Sequence, residues 1–476
     1  MGALEGIEHV VVLMLENRSF DCILGKLYKP DVTFEGLSGL ETNNYAARPL
    51  LVWSDKGMDP LRATIPDPDP GELFADMNMQ LFGGIGQPTN SPPPMSGFVQ
   101  NYMAQPSADQ PHDAVAVMHY FTPKQVPVIS ALAKAFGVCD QWYASAPCQT
   151  WPNRFFVHTG TAAGYVENSK FPIPFDAPSI FHRLETNAKT WRVYFHDVPQ
   201  SLLLKDIWSI APLHFRFFSQ FLVDAQNGAL PNYSFIEPRY FTDLFLSAIP
   251  NDEHPPHNVA YGEQLIASVY NAVRSSPNWK KTLLVITYDE HGGCYDHMPP
   301  PLAARPDSAN QDGFNFDRYG VRVPAVLISP YIPPGSKVRA VPGPLPHQGP
   351  PYPFDHTSII ATLRTLFNLG APLSGRDAVA PTLLEPLSLA APINDGPSSV
   401  TALDIRPLAP QLQKRASAPL NHMQRSLSQM AALLPASPEA VARVMPASAP
   451  MMPPAFDTVA RAAADATERI KSFLGV

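Results

Sequence analysis

TLLVITYDEHGGCYDH, residues 282–297, is an apolar run that ends abruptly in two adjacent carboxylates. Leu283, Leu284, Val285 and Ile286 follow one another without a polar break, the pattern of a strand buried on both faces of a parallel sheet, and Gly292-Gly293 stops the run. Asp289, Glu290 and His291 then fall at the carboxyl end of a central strand, where open α/β sheets place their ligands.

An Asp-Glu pair alone is more often a solvated turn. A second buried run, IEHVVVLML at residues 7–15, argues otherwise, because it too ends in polar residues, ENRSFD at 16–21. If the two strands are parallel neighbours, Glu16, Asn17, Asp289 and Glu290 meet at one sheet edge. So much buried negative charge is tolerable only around a cation.

The remaining chain alternates strands and helices. Trp191–Phe195, Tyr233–Ile236 and Val323–Ile328 read as strands; residues 126–136, 259–273 and a segment opened by Asp355 or Thr357 read as helices. A further helix is expected from Gln110 through Met118, and Pro152 suits the first turn of a helix that begins near Thr150. The expectation is an α/β fold: a doubly wound, mostly parallel sheet with helices on both faces. Residues 26–105, rich in Pro and Asn, read as loops over the sheet end. Composition changes near residue 397, so residues 1–396 are expected to form the catalytic domain. Residues 397–476 are an Ala/Pro/Met-rich extension with a terminal amphipathic helix and no catalytic group.

A net charge of −8 over 476 residues, with no basic cluster, excludes nucleic acid as the main partner. Four cysteines without CxxC spacing exclude a zinc module. No signal peptide, myristoylation motif or membrane-length apolar run is visible, so the expectation is a cytoplasmic protein, with signal-independent secretion and peripheral membrane contact left open.

Five motifs follow one another along the chain: ENRSFD, T-x-PNR at Thr150–Arg154, His254-Pro255, TYDEHGG-x-YDH-x-PPP at Thr287–Pro301, and FDHTS at Phe354–Ser358. In this order they resemble the bacterial phosphoesterase family of phospholipases C and related acid phosphatases, over roughly Ile7 to Pro392. The resemblance implies an alkaline-phosphatase-like fold and hydrolysis of phosphate esters through a metal-supported hydroxyl. By that resemblance Glu16, Asn17, Asp289 and Glu290 hold a divalent cation of unassigned identity, with Thr150 both a ligand and the attacking hydroxyl; read alone, Thr150 is equally a helix cap. His112, His196 and His254 are the implied proton donors, with His257 a rival to His254, and His291 is a donor or a support for the carboxylates. Arg154 either grips phosphate or braces the turn. His9, His119, His158 and His297 read as structural. The implied partner is a phosphate-ester small molecule or a phospholipid headgroup, for which Trp142, Tyr143, Trp151, Tyr165 and Tyr240 offer aromatic surface. The competing readings are a sulfatase-like hydrolase, against which the missing C-x-P-x-R and S-x-P-x-R segments count, and a non-catalytic effector that kept the fold.

Overall fold

The computed structural model describes residues 6–84, 92–106, 111–340, 352–435 and 456–475. Eight strands form the main sheet: β1 His9–Leu15, β2 Gly137–Cys139, β3 Trp191–Phe195, β4 Phe215–Phe217, β5 Tyr233–Glu237, β6 Thr282–Tyr288, β7 Ala325–Ile328 and β8 Ser336–Val338. Their spatial order is β8-β2-β7-β6-β1-β5-β3-β4, and only β7 runs antiparallel to its neighbours. Every residue of β1 and β6 is buried, which is why both read as unbroken apolar runs. Their register pairs Val12 with Val285 and Leu15 with Tyr288, so the strands end level and Glu16 and Asp289 emerge side by side. On the other flank of β1, β5 runs parallel and ends at Glu237.

The helices that matter for the site are α1 Phe74–Phe82, α2 Pro127–Ala135, α3 Thr150–Thr159, α4 Val259–Ser275, α5 Thr357–Phe367, α6 His422–Leu433 and α7 Val459–Leu474. Helix α2 packs with α4, and α3 with α5. Among the described residues no helix is long and apolar enough to cross a membrane. All four cysteines are buried and unbridged.

Three local expectations are corrected. Residues 26–105 are not loops alone: they hold a hairpin (Thr42–Tyr45 with Arg48–Leu51), α1 and the helix Phe98–Ala104, which enclose a small core of Leu81, Phe82, Phe98, Val99 and Tyr102. Helices this short repeat their apolar face too few times to register as a period. The helix expected from Gln110 is a single tight turn, Ala116–Met118, and Gln110 itself lies outside the described residues. Neither Asp355 nor Thr357 caps α5, whose N-cap is His356. The Asp355 carboxylate is instead taken by the hydroxyls of Thr357 (2.6 Å) and Ser145 (2.8 Å).

In the C-terminal extension, α6 and α7 pack on each other, and Met423, Leu427, Met430, Ile470 and Phe473 join the apolar core of the main body. Burial of these side chains fixes α6 against the sheet's functional edge.

Candidate active site and metal centre

Immediately after β1 the chain turns at Asn17, whose φ of 54° is a left-handed conformation that asparagine tolerates better than most residues. The turn makes three hydrogen bonds to carboxylates, two of them at the neighbouring strand end. Asn17 N donates to Asp289 Oδ1 (2.9 Å), and its Nδ2 donates to Glu290 Oε1 (2.7 Å) and Glu72 Oε1 (2.6 Å). Gly292 makes the approach possible: a Cβ there would stand 2.2 Å from the Asn17 carbonyl oxygen.

With its nitrogen occupied, the Asn17 amide turns Oδ1 toward Thr150 Oγ1, 3.4 Å away, and Glu16 Oε2 lies 3.5 Å from the same hydroxyl. Both separations exceed the roughly 2.8 Å of a strong O–H···O bond. Asp289 Oδ2 is buried with no hydrogen-bond partner. Loosely paired and unpartnered oxygens of this kind, from Glu16, Asn17, Thr150 and Asp289, are donors that suit a hard divalent cation, whereas both Glu290 oxygens already accept from Asn17 Nδ2 and Gly292 N. Among the described residues the acid and histidine groups close enough to share one ion are Asp69, Glu72 and His254, and Asp21, Asp296 and His297.

Thr150 is the first residue of α3, and the N-cap is Gln149. Its hydroxyl makes no capping bond, so the cap reading of Thr150 falls away. Asn153 builds the turn that presents it, donating to the Cys148 carbonyl (2.7 Å) and accepting from Ala146 N (3.1 Å). One turn on, Arg154 reaches Glu16 Oε1 at 2.5 Å, while its Nε and Nη1 are buried without a hydrogen-bond partner, Nη1 lying 4.0 Å from Glu237 Oε2. Gln200 Nε2 donates to the same Glu16 oxygen (2.8 Å).

The charges explain the titration. Burial pushes the Glu16 carboxyl well above its usual range, Arg154 opposes the shift and the Asp289 charge adds to it. Burial, Glu72 and Asp289 likewise raise Glu290. Burial disfavours the His254 imidazolium, yet Glu72 and Asp69 more than offset this and raise the group well above its ordinary value. His254 Nε2 lies 3.2 Å from Glu72 Oε1 and Nδ1 lies 3.7 Å from Asp69 Oδ1. Because Glu72 also accepts from Asn17, His254 stands one carboxylate away from the centre.

The other histidines divide clearly. His257 Nδ1 faces Asp252 (2.7 Å), so of the rival pair it is His254 that meets Glu72. His291 sits behind Glu290, with Nδ1 3.3 Å from Oε2 and Nε2 2.7 Å from Gln80 Oε1. His356 Nε2 lies 2.6 Å from the Asp289 carbonyl oxygen and braces that loop. His196 and His112 are not brought into contact with the acidic cluster by any described interaction. His196 stacks on Phe218 and meets only the Glu237 carbonyl (3.0 Å), while His112 packs edge-on against Tyr102. His196 follows a strand end and His112 precedes the Ala116–Met118 turn, positions that sequence cannot distinguish from facing the site. His297 pairs with Asp21 beside Arg322 and Asp296, His158 is buried against Phe235, His119 accepts from Asp55 N and His9 meets the Pro231 carbonyl.

Sequence reasoning passed over Asp69, Glu72, Gln200 and His422. The acids lie in DPDPGE, residues 67–72, within the stretch read as loops, and an acid next to glycine at a site entrance was the available signal. His422 comes from α6 and lies 3.3 Å from Gln149, Nδ1 to Nε2. The extension therefore brings a titratable group to Gln149, the residue that precedes Thr150.

The chain is 42% identical over 395 residues to Non-specific phospholipase C1 of Arabidopsis thaliana, an alignment covering 79% of this chain and 70% of that protein. It is 38% identical over 445 residues to Non-specific phospholipase C6 of the same plant, covering 90% and 81%. Phospholipase C B of Mycobacterium tuberculosis is 27% identical over 453 residues, covering 83% and 80%. The match to the Phosphoesterase family runs over residues 7–370 and so takes in every strand end and loop that builds the acidic edge; the chain belongs to the Phosphoesterase family.

Proposed function

We propose that this protein is a phospholipase C that works at a divalent-cation centre, cleaving the bond between phosphate and the glycerol oxygen of a phospholipid with Thr150 as nucleophile. The observation that carries the reading is the Thr150 hydroxyl at the start of α3, 3.4 to 3.5 Å from Asn17 Oδ1 and Glu16 Oε2, with Asp289 Oδ2 left unpartnered at the neighbouring strand end. Glu16, Asn17, Asp289 and Glu290 would hold the cation, which when bound supplies Lewis acidity that makes the hydroxyl a competent nucleophile and draws charge from the phosphate.

The chain's own groups do the rest. Thr150 Oγ1 passes its proton to Glu16 Oε2 and forms the new bond to phosphorus as the bond to the glycerol oxygen breaks, and His254, held cationic by Glu72 and Asp69, gives its proton to that leaving oxygen. The resulting imidazole then takes a proton from water, whose attack on phosphorus breaks the bond to Thr150 Oγ1, and Thr150 recovers its proton from Glu16. Arg154 neutralises Glu16, and its Nε, buried without a hydrogen-bond partner, offers an N–H to the developing charge on phosphate. Trp142 and Trp151 are fully buried in the core and add nothing to a choline cage, which favours loose headgroup selection.

The test is a substrate panel of phosphatidylcholine, p-nitrophenyl phosphorylcholine and p-nitrophenyl phosphate, with and without chelator. Cleavage of both diesters, abolished by chelator, is expected; turnover of the monoester alone would overturn the phospholipase assignment.

A further inference from the structure

Residues Asp243–Ala248 form a tight loop closed by two backbone hydrogen bonds, Asp243 N to Ala248 O (2.8 Å) and Ala248 N to Asp243 O (2.9 Å). Its tip is Leu244-Phe245-Leu246, exposed by 46%, 95% and 58%. Among the described residues Phe245 is the most exposed large apolar side chain. Three consecutive apolar side chains held in water mark a contact surface rather than a scattered exposed residue.

The tip is held rigidly. Asp243 Oδ1 accepts from Leu246 N (2.8 Å), Asp197 Oδ2 accepts from Tyr240 N (2.9 Å) and Phe241 N (2.8 Å), and Asn251 Oδ1 accepts from Arg239 N (2.6 Å). It is also tied to the catalytic edge. The stalk leaves β5 directly after Glu237, and Tyr240 OH lies 3.4 Å from Glu237 Oε2, an oxygen 4.0 Å from Arg154 Nη1. Cations flank it. Arg239 and Lys471 line a groove of about 550 Å³ beside Leu244, and Arg406, 86% exposed, shares a second depression with Ser247 and Ala248. Asp243 and Glu468 also face the groove, so the collar is mixed in charge.

We propose that the Leu244–Leu246 tip enters the headgroup zone of a phospholipid bilayer and holds the active-site edge against it, with Arg406 and Lys471 meeting lipid phosphates. The occupant is a lipid surface because the apolar tip is small and pointed, carries Lys471 and the exposed Arg406 in a collar of mixed charge, and is continuous with the site whose substrate is a lipid; the proposal rests on the phospholipase reading in that last respect.

The experiment compares wild type, Phe245→Asp and Phe245→Trp on phosphatidylcholine vesicles, with p-nitrophenyl phosphorylcholine as the soluble control. Phe245→Asp should lower vesicle co-sedimentation and vesicle hydrolysis by about tenfold or more, the scale of removing one large apolar side chain from an interface, and leave soluble turnover unchanged. Phe245→Trp should show blue-shifted emission on vesicles and quenching by brominated lipid. Wild-type vesicle binding by Phe245→Asp, or an unshifted Phe245→Trp spectrum, would overturn the lipid assignment and leave a protein as the occupant. Vesicle binding that depends on Phe245 in a protein cleaving neither diester would instead overturn the phospholipase reading and keep the docking surface.

Discussion

Arg154 Nη2 stands 2.5 Å from Glu16 Oε1, and Gln200 Nε2 shares that oxygen at 2.8 Å, so only Oε2 of Glu16 is turned toward Thr150. The pair both neutralises a buried carboxylate and fixes which oxygen faces the hydroxyl. A lysine would keep the charge but lose the fork that lets one nitrogen hold Glu16 while another faces the substrate. Arg154→Lys should therefore lower kcat by about 10²-fold, the scale of losing one preorganised donor, with little change in KM. Steady-state kinetics on p-nitrophenyl phosphorylcholine checks this; an unchanged kcat would reduce Arg154 to a brace for the turn.

Thr150 separates chemistry from packing. Thr150→Ser keeps the oxygen and should retain partial activity, whereas Thr150→Val, nearly the same shape, should lose about 10⁴-fold or more, as when a nucleophile is removed from a catalytic constellation. Acid quenching during turnover followed by peptide mass spectrometry should find the phosphoryl group on Thr150. Wild-type turnover by Thr150→Val would mean that water attacks phosphorus directly.

How far the sequence could be read follows from what each residue depends on. The strands β1 and β6 are legible because continuous burial leaves an unbroken apolar run, and their level ends follow once they are neighbours. The site's core is legible for the same reason, since Glu16, Asn17, Asp289 and Glu290 are the residues next to those runs. Glu72 and Asp69 reach the centre through the fold of a Pro-rich stretch with no period to read. His422 arrives from more than a hundred residues past Glu290, carried by core packing of α6 that composition alone does not reveal. His196 follows a strand end just as Glu237 does, yet β3 lies one strand further out and its contacts are with Phe218 and backbone.

The raised Glu16 and Glu290 carboxyls give the cation a pH dependence. Without a cation both hold protons at a higher pH than ordinary glutamates do, so cation binding must displace those protons, and affinity should rise as pH rises through the range where the metal-free carboxyls titrate. Titrating a divalent cation into chelator-treated protein by calorimetry, in two buffers of different ionisation enthalpy, should give different heats at a pH where the metal-free carboxyls still hold protons. Equal heats would show the carboxylates already ionised. Asp289→Asn should lose binding in either buffer, because it removes the charge of a carboxylate whose Oδ2 is buried without a hydrogen-bond partner.

Helix α6 places His422 Nδ1 3.3 Å from Gln149 Nε2, next to Thr150, and Gln424 from the same helix donates to the Tyr240 carbonyl (3.0 Å). Burial lowers the His422 pKa, so the ring is neutral at physiological pH and Nδ1 accepts from the Gln149 amide. Truncation at residue 397 would strip Met423, Leu427, Met430 and Phe473 from the core and should destabilise the whole protein, so it cannot isolate the histidine. His422→Leu can. It should fold with near-normal thermal stability yet lose about tenfold in kcat/KM, since a small displacement of Gln149 moves the nucleophile off its line of attack. His422→Gln, whose amide oxygen can accept the same bond, should recover part of the loss. Protonation of His422 breaks the bond in wild type, so activity should fall on the acid side through the lowered His422 pKa, and the acid limb should move in His422→Gln, which cannot titrate there. Wild-type kcat/KM and an unmoved acid limb in both variants would leave α6 with a packing role alone.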